Sequence, residues 1–125
     1  MTTEKIRPVF ESNLKNLELL GRGKVRDMYK VNEDSLLIVT TDRISAFDVI
    51  LKDPIPGKGI ALTAISNFWF EKLSTVIPNH LTNEELNKID ISNEEFDLIK
   101  DRSIIVKKLN PLPIESVIRG YLIGS

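Results

Sequence analysis

Between Lys24 and Val31 the chain alternates with a period of two: Val25, Tyr29 and Val31 fall on one side, Lys24, Arg26 and Lys30 on the other. Only an extended backbone sends successive side chains to opposite faces, so this stretch predicts a strand with one covered face. Asn32-Glu33-Asp34 supplies turn residues, and Leu36-Leu37-Ile38-Val39 reads as a buried strand. Together they predict a β-hairpin, and the fold has to be built around it.

The remaining elements follow from spacing and from breakers. Val9 to Leu20, with Phe10, Leu14 and Leu17 at helical spacing and Gly21 behind them, predicts a short helix. Pro54-Ile55-Pro56-Gly57-Lys58-Gly59 reads as a loop. From Ala61 to Val76 the residues Leu62, Ile65, Phe68 or Trp69, Leu73 and Val76 recur at three and four, predicting a helix ended near Pro78, with Trp69 in the core. Leu81 to Lys100 is polar and predicts a short helix among loops, with the single histidine, His80, structural or solvated. Ser103–Leu109 and Ile114–Ile118 predict two further strands around Asn110-Pro111-Leu112-Pro113. The expected class is α+β.

Composition narrows the function classes. With 125 residues and a hydrophobic fraction of 42%, the chain can build the core of one domain, or of one lobe of a larger one. Lys+Arg 17 against Asp+Glu 18 gives a formal net charge of -1, which lacks the basic footprint of a general nucleic-acid binder. With no cysteine, disulfides and thiolate metal sites are excluded. The apolar stretches are short and interrupted, so no membrane span is expected, and the N-terminal residues do not read as a signal peptide. Cytoplasmic residence is the default expectation.

Several motifs are candidates for chemistry. In Gly21-Arg22-Gly23-Lys24-Val25-Arg26-Asp27 the glycines allow close backbone approach, amides there can cradle phosphate oxygens, and Lys24 and Arg26 add charge on one face. The spacing is not that of a Walker A loop, and on these residues alone a plain hairpin turn with solvated basic residues is the commoner reading. Thr41-Asp42-Arg43-Ile44-Ser45-Ala46-Phe47-Asp48 follows the apolar run; Asp42 or Asp48 could hold Mg²⁺ through oxygen, or Asp42 and Ser45 could form a cap or turn. Lys58 in the Pro/Gly loop could meet an anion, although such loops are more often connectors. In a strand Lys107 and Lys108 point to opposite faces, so a lysine turned to a covered side needs an anion such as an ATP phosphate, while two solvated lysines on an edge strand read equally well from the residues. Glu115, Val117 and Arg119 would share a strand face; Arg119 offers a planar donor fork for an anion and Gly124-Ser125 adds amides and a hydroxyl, or Glu115 and Arg119 simply pair with each other ahead of a glycine turn.

Taken in order, Gly-Arg-Gly-Lys-Val-Arg-Asp-Met-Tyr, then Thr-Asp-Arg-Ile-Ser-Ala-Phe-Asp, then Leu-Pro-Ile-Glu-Ser-Val-Ile-Arg-Gly-Tyr-Leu-Ile-Gly-Ser, the chain resembles the N-terminal portion of the SAICAR synthetase family. One departure is Ile123, where that family usually has Thr or Ala before Gly-Ser. The resemblance implies the N-terminal lobe of an ATP-grasp-like fold: a twisted, mainly antiparallel sheet with the Ala61–Val76 helix packed on it, residues 1–125 forming the nucleotide-binding lobe of a longer chain. It implies an ATP- and Mg²⁺-dependent ligase of purine biosynthesis that joins L-aspartate to carboxyaminoimidazole ribonucleotide (CAIR), with no nucleic-acid or membrane partner and a homo-oligomer left open. Carried over by position, Gly23, Lys24, Arg26, Lys107, Lys108, Leu109 and Glu115 would bind ATP. Asp42, Ser45, Asp48, Arg119 and Ser125 would bind CAIR, with Asp48 also a metal ligand. The resemblance also implies that these residues alone lack synthetase activity. Another ATP-using phosphotransferase lobe, or a small non-enzymatic nucleotide-binding or interaction module, remains open from the residues themselves.

Overall fold

The computed structural model describes residues 6–123. Strands β1 (Leu19–Arg22), β2 (Arg26–Lys30), β3 (Ser35–Thr40) and β6 (Ser103–Lys107) form one antiparallel sheet in the order β1-β2-β3-β6. Between β3 and β6 lie a two-residue hairpin, β4 (Ser45–Ala46) and β5 (Val49–Ile50), and two helices, α1 (Lys58–Lys72) and α2 (Asn93–Ile99). The expected α+β class and antiparallel sheet are what the chain forms.

The β2–β3 hairpin forms as its alternation and turn predict. The Ser35 carbonyl accepts from the Val31 and Asn32 amides, and the Asn32 side chain accepts from the Asp34 amide, closing the turn locally. In register, Tyr29 pairs with Leu37, and Leu37 with Ile105. That face of the sheet is the core: Tyr29, Leu37, Val39 and Ile105 pack with Leu14 and Ile99. Ile99 arrives on α2, whose start is fixed by a capping box between Ser92 and Glu95. The other face, carrying Met28, Ile38 and Ile104, is only partly covered.

Three expectations fail, each for a physical reason. Val9–Leu20 forms no helix. Two of its backbone donors are claimed from outside, the Val9 amide by the Asp42 carboxylate at 2.8 Å and the Ser12 amide by Asp27 at 2.9 Å, and a turn at Lys15 and Asn16 then leads into β1. Ile114–Ile118 forms no strand; residues 108–123 are exposed and irregular. The Glu115/Val117/Arg119 face therefore does not exist as a strand face.

The third concerns α1. The period of three and four correctly finds a helix, but Leu62, Ile65, Phe68 and Trp69 are about half exposed, Trp69 at 49%. The helix docks instead through Gly59 and Thr63, small residues one turn apart on the same face. A Cβ on Gly59 would fall well inside contact distance of the Thr40 carbonyl and 2.9 Å from both Arg102 Nη1 and the Thr41 carbonyl. Its first turn thus lies backbone-to-backbone against the end of β3. Gly59→Ala should accordingly lower stability by about 1–3 kcal/mol through overpacking. Urea unfolding should show a lower midpoint with an unchanged m-value.

Candidate anion site between the glycine loop and a hairpin

Two fully buried carboxylates organise the end of the sheet. Asp27 lies on the inward side of β2, beside Tyr29. It accepts from the Ser12 amide and hydroxyl at 2.9 and 2.7 Å, from Arg22 Nη1 at 2.6 Å and from Arg43 Nη2 at 2.9 Å. Asp42, just past β3, accepts from the Val9 and Gly59 amides, each at 2.8 Å, and from Arg102 Nη1 at 2.9 Å. Burial by itself would raise both acidities' pKa values. The hydrogen bonds and charges of Ser12 and Arg43 at Asp27, and of Arg102, Gly59 and Val9 at Asp42, outweigh it and hold both below the ordinary carboxylate value.

Arg43 carries this framework into the glycine-rich loop joining β1 to β2. Besides Asp27, its guanidinium donates to the carbonyls of Phe10 at 2.7 Å, Lys24 at 3.0 Å and Gly23 at 3.0 Å. The Gly23 amide closes the loop onto the Arg26 carbonyl at 2.7 Å. Lys24 at the loop tip stays largely exposed.

Asp42, Arg43 and the β4–β5 hairpin continue one chain segment. Phe47 and Asp48 form the hairpin tip with φ of 50° and 63°. A two-residue turn of the primed kind needs positive φ at both positions, which suits Asn and Gly better than Phe, so this tip is strained. Phe47 is fully exposed there, while Asp48 forms an ion pair with Lys24. That bond and the charge of Lys24 depress the Asp48 pKa. Glycine loop and hairpin, 24 residues apart in sequence, therefore meet through a solvated lysine–carboxylate pair.

The other expected site residues scatter. Gly23, Lys24, Arg26, Ser45 and Asp48 gather at this end of the sheet. Asp42, expected to face CAIR, is instead wholly buried, with its carboxylate already bonded within the fold. Lys107 ends β6, exposed, and Lys108 follows it with its amide bonded to the Asp34 carbonyl at 2.7 Å. Leu109 and Glu115 are exposed on the irregular segment, as is Arg119, whose Nη1 donates to the Ile123 carbonyl at 2.9 Å. Ser125 lies outside the described residues. Lys58 begins α1.

Asp27 and Arg43 stand in candidate motifs without a sign of the buried pair they form, and Arg102 stands in none. A charged residue on the covered side of β2 was a legible signal for Asp27, since such a group must be paired. Arg102 gives none, because its partner is 60 positions away. A cavity of about 670 Å³ between Asn16–Glu18, Lys30–Asn32 and Asn83–Asp90 contains none of the expected site residues.

Fold and geometry together define an α+β fold that presents a glycine-rich loop, a basic side chain and a carboxylate at one sheet end. The family model for SAICAR synthetase matches residues 19–125, and the chain belongs to that family. It is 57% identical over 119 residues to phosphoribosylaminoimidazole-succinocarboxamide synthase of Aromatoleum aromaticum, and 58% identical over 118 residues to that of Azoarcus sp. strain BH72. These alignments take in 95% and 94% of this chain, but it spans only 38% of the length of either relative. A solved SAICAR synthase superposes with TM-score 0.83 at 41% identity, over 93% of this chain and 42% of that one. The SAICAR-synthase from Saccharomyces cerevisiae complexed with SAICAR superposes at 0.72 and 42% identity, over 80% and 36%.

Unfolded aspartates take up protons near pH 3.9, whereas Asp27 and Asp42 in the fold do so only lower. Between those values the unfolded state binds more protons, so stability present above about pH 3.9 is lost as the pH falls through the folded pKa values. Asp42→Asn should flatten this acid limb. It should also destabilise the chain near neutral pH by about 3–5 kcal/mol, because Arg102 stays buried without its counter-charge. Urea melts of both proteins across pH 2–7 check both effects.

Proposed function

We propose that this chain is the nucleotide- and CAIR-binding lobe of an ATP-dependent ligase of de novo purine biosynthesis, which joins L-aspartate to CAIR to give SAICAR, ADP and phosphate. The observation that carries this reading is the meeting of Lys24 and Asp48, which sets a phosphate-type loop beside a hairpin able to face a second ligand. Family membership supplies the reaction class.

A carboxylate is a poor electrophile. In the proposed sequence a CAIR carboxylate oxygen attacks the γ-phosphorus of ATP and ADP leaves, giving an acyl phosphate. The aspartate amine then attacks the acyl carbon, phosphate departs with the C–O bond electrons, and the amine loses a proton to leave an amide. Such a site gathers several anions, so its work is positioning and charge compensation. Gly23, Lys24 and Arg26 are assigned to the ATP phosphates, Lys107, Lys108 and Leu109 to the flank of the nucleotide, and Glu115 to a carboxylate beside it. Ser45, Asp48, Arg119 and Ser125 are assigned to CAIR. Asp42 enters as a positioning residue that anchors Thr41–Asp48 from below, because its carboxylate is already committed to Val9, Gly59 and Arg102.

Mg²⁺ fits what this lobe offers. The described residues hold no group of three or more side chains able to cage a metal, and Asp48 provides one exposed carboxylate. Mg²⁺ is commonly held by one or two carboxylates together with substrate phosphates, and bound here it would offset phosphate charge. Lys24 turning from Asp48 to phosphate would leave that carboxylate available.

Isothermal titration with Mg·ATP should show binding that Lys24→Ala weakens by about tenfold or more, near 1.4 kcal/mol. Equal affinity in both proteins, or none in the folded wild type, would remove the loop from the nucleotide site. With ATP, CAIR and L-aspartate all present, a coupled ADP-release assay on these 125 residues alone should record no turnover.

A further inference from the structure

Arg43 makes no contact with solvent to speak of, yet four of its guanidinium hydrogen bonds end on three carbonyls and one carboxylate. Two of those carbonyls, Gly23 and Lys24, belong to successive peptides at the tip of the glycine-rich loop. A peptide unit is planar, and none in the described chain is cis. In a trans peptide the N–H points opposite to the C=O. Drawing the Gly23 and Lys24 carbonyls inward onto the guanidinium therefore turns the Lys24 and Val25 amides outward. No described residue accepts from either amide. Adjacent outward amides beside a lysine are the chemistry that receives phosphate oxygens.

We propose that Arg43 is a positioning residue of the nucleotide site: by holding the Gly23 and Lys24 carbonyls it sets the Lys24 and Val25 amides as the surface that accepts phosphate. The role rests on reading this loop as the nucleotide site. It needs arginine and not merely positive charge. A lysine ammonium can replace the ion pair with Asp27, but it has no planar fork to reach the carbonyls of Phe10, Gly23 and Lys24 together. Because Arg43 leads directly into the β4–β5 hairpin, the same side chain also fixes that hairpin's base to the loop.

The test is Arg43→Lys in the 125-residue chain, followed by amide hydrogen exchange and Mg·ATP titration. Exchange at Gly23, whose amide closes the loop on the Arg26 carbonyl at 2.7 Å, should rise about tenfold or more while the β3–β6 ladder keeps wild-type protection, and Mg·ATP affinity should fall by a similar factor. Unchanged loop exchange would overturn the proposal, and so would a uniform rise at every amide, which would make Arg43 a residue of the fold only. If Arg43→Lys does not fold, Asp27→Asn with Arg43→Gln removes both buried charges together and permits the same comparison. The two readings fail separately: a wild type that binds no Mg·ATP defeats the nucleotide assignment, while loop exchange still decides whether Arg43 shapes the loop.

Discussion

Asp27 and Asp42 keep their charges where water does not reach, and nearly every part of the candidate site is fastened to one or the other. Removing a carboxylate from water costs several kcal/mol unless its oxygens are satisfied, and here each has an arginine and backbone or hydroxyl donors. Those donors come from distant parts of the chain. Asp42 gathers the N-terminal segment at Val9, the start of α1 at Gly59 and the start of β6 through Arg102. Asp27 gathers Ser12, the end of β1 through Arg22, and Arg43. An apolar core of this size could hold the sheet together without fixing the direction of its end loops. Directional bonds to buried charge fix them.

The same network explains where the molecule is rigid and where it is left open. Arg43 holds the backbone of the glycine loop and, with Asp42, anchors the base of the hairpin, while the side chains of Lys24, Phe47 and Asp48 stand in solvent. The Lys24–Asp48 pair between the tips is exposed, and exposed pairs contribute little to stability. It can therefore be exchanged for contacts with an anionic ligand at small cost. The uncovered apolar side of α1, with Leu62, Ile65, Phe68 and Trp69, lies outside this arrangement.

What could be read from the sequence divides along the range of the interactions. The β2–β3 hairpin was legible because alternation and turn chemistry are local, and so were the existence of α1 and of a short helix before β6. Val9–Leu20 misled because its helical spacing is outbid by carboxylates that arrive from β2 and from the end of β3. The apolar stripe of α1 suggested burial by the sheet, but the close approach of Gly59 to Thr40 determines which face docks. In the site, Lys24 and Asp48 were legible as exposed charged groups in loops. Asp42 reads from the sequence as a ligand group or a turn residue alike, because its burial depends on Arg102, which carries no sequence signal. Arg43 gives little sign of its role either, since its partners lie 16 to 33 positions away.

The central claim is that this sheet end, and not the cavity near Asn16 and Asp90, receives the nucleotide. Its most direct measurement is a ¹⁵N-amide shift map of the chain titrated with Mg·ATP. Shifts concentrated at Gly23–Arg26 and at the β4–β5 hairpin are the predicted result. Shifts centred on Asn16–Glu18 and Asn83–Asp90, with the glycine loop silent, would contradict it.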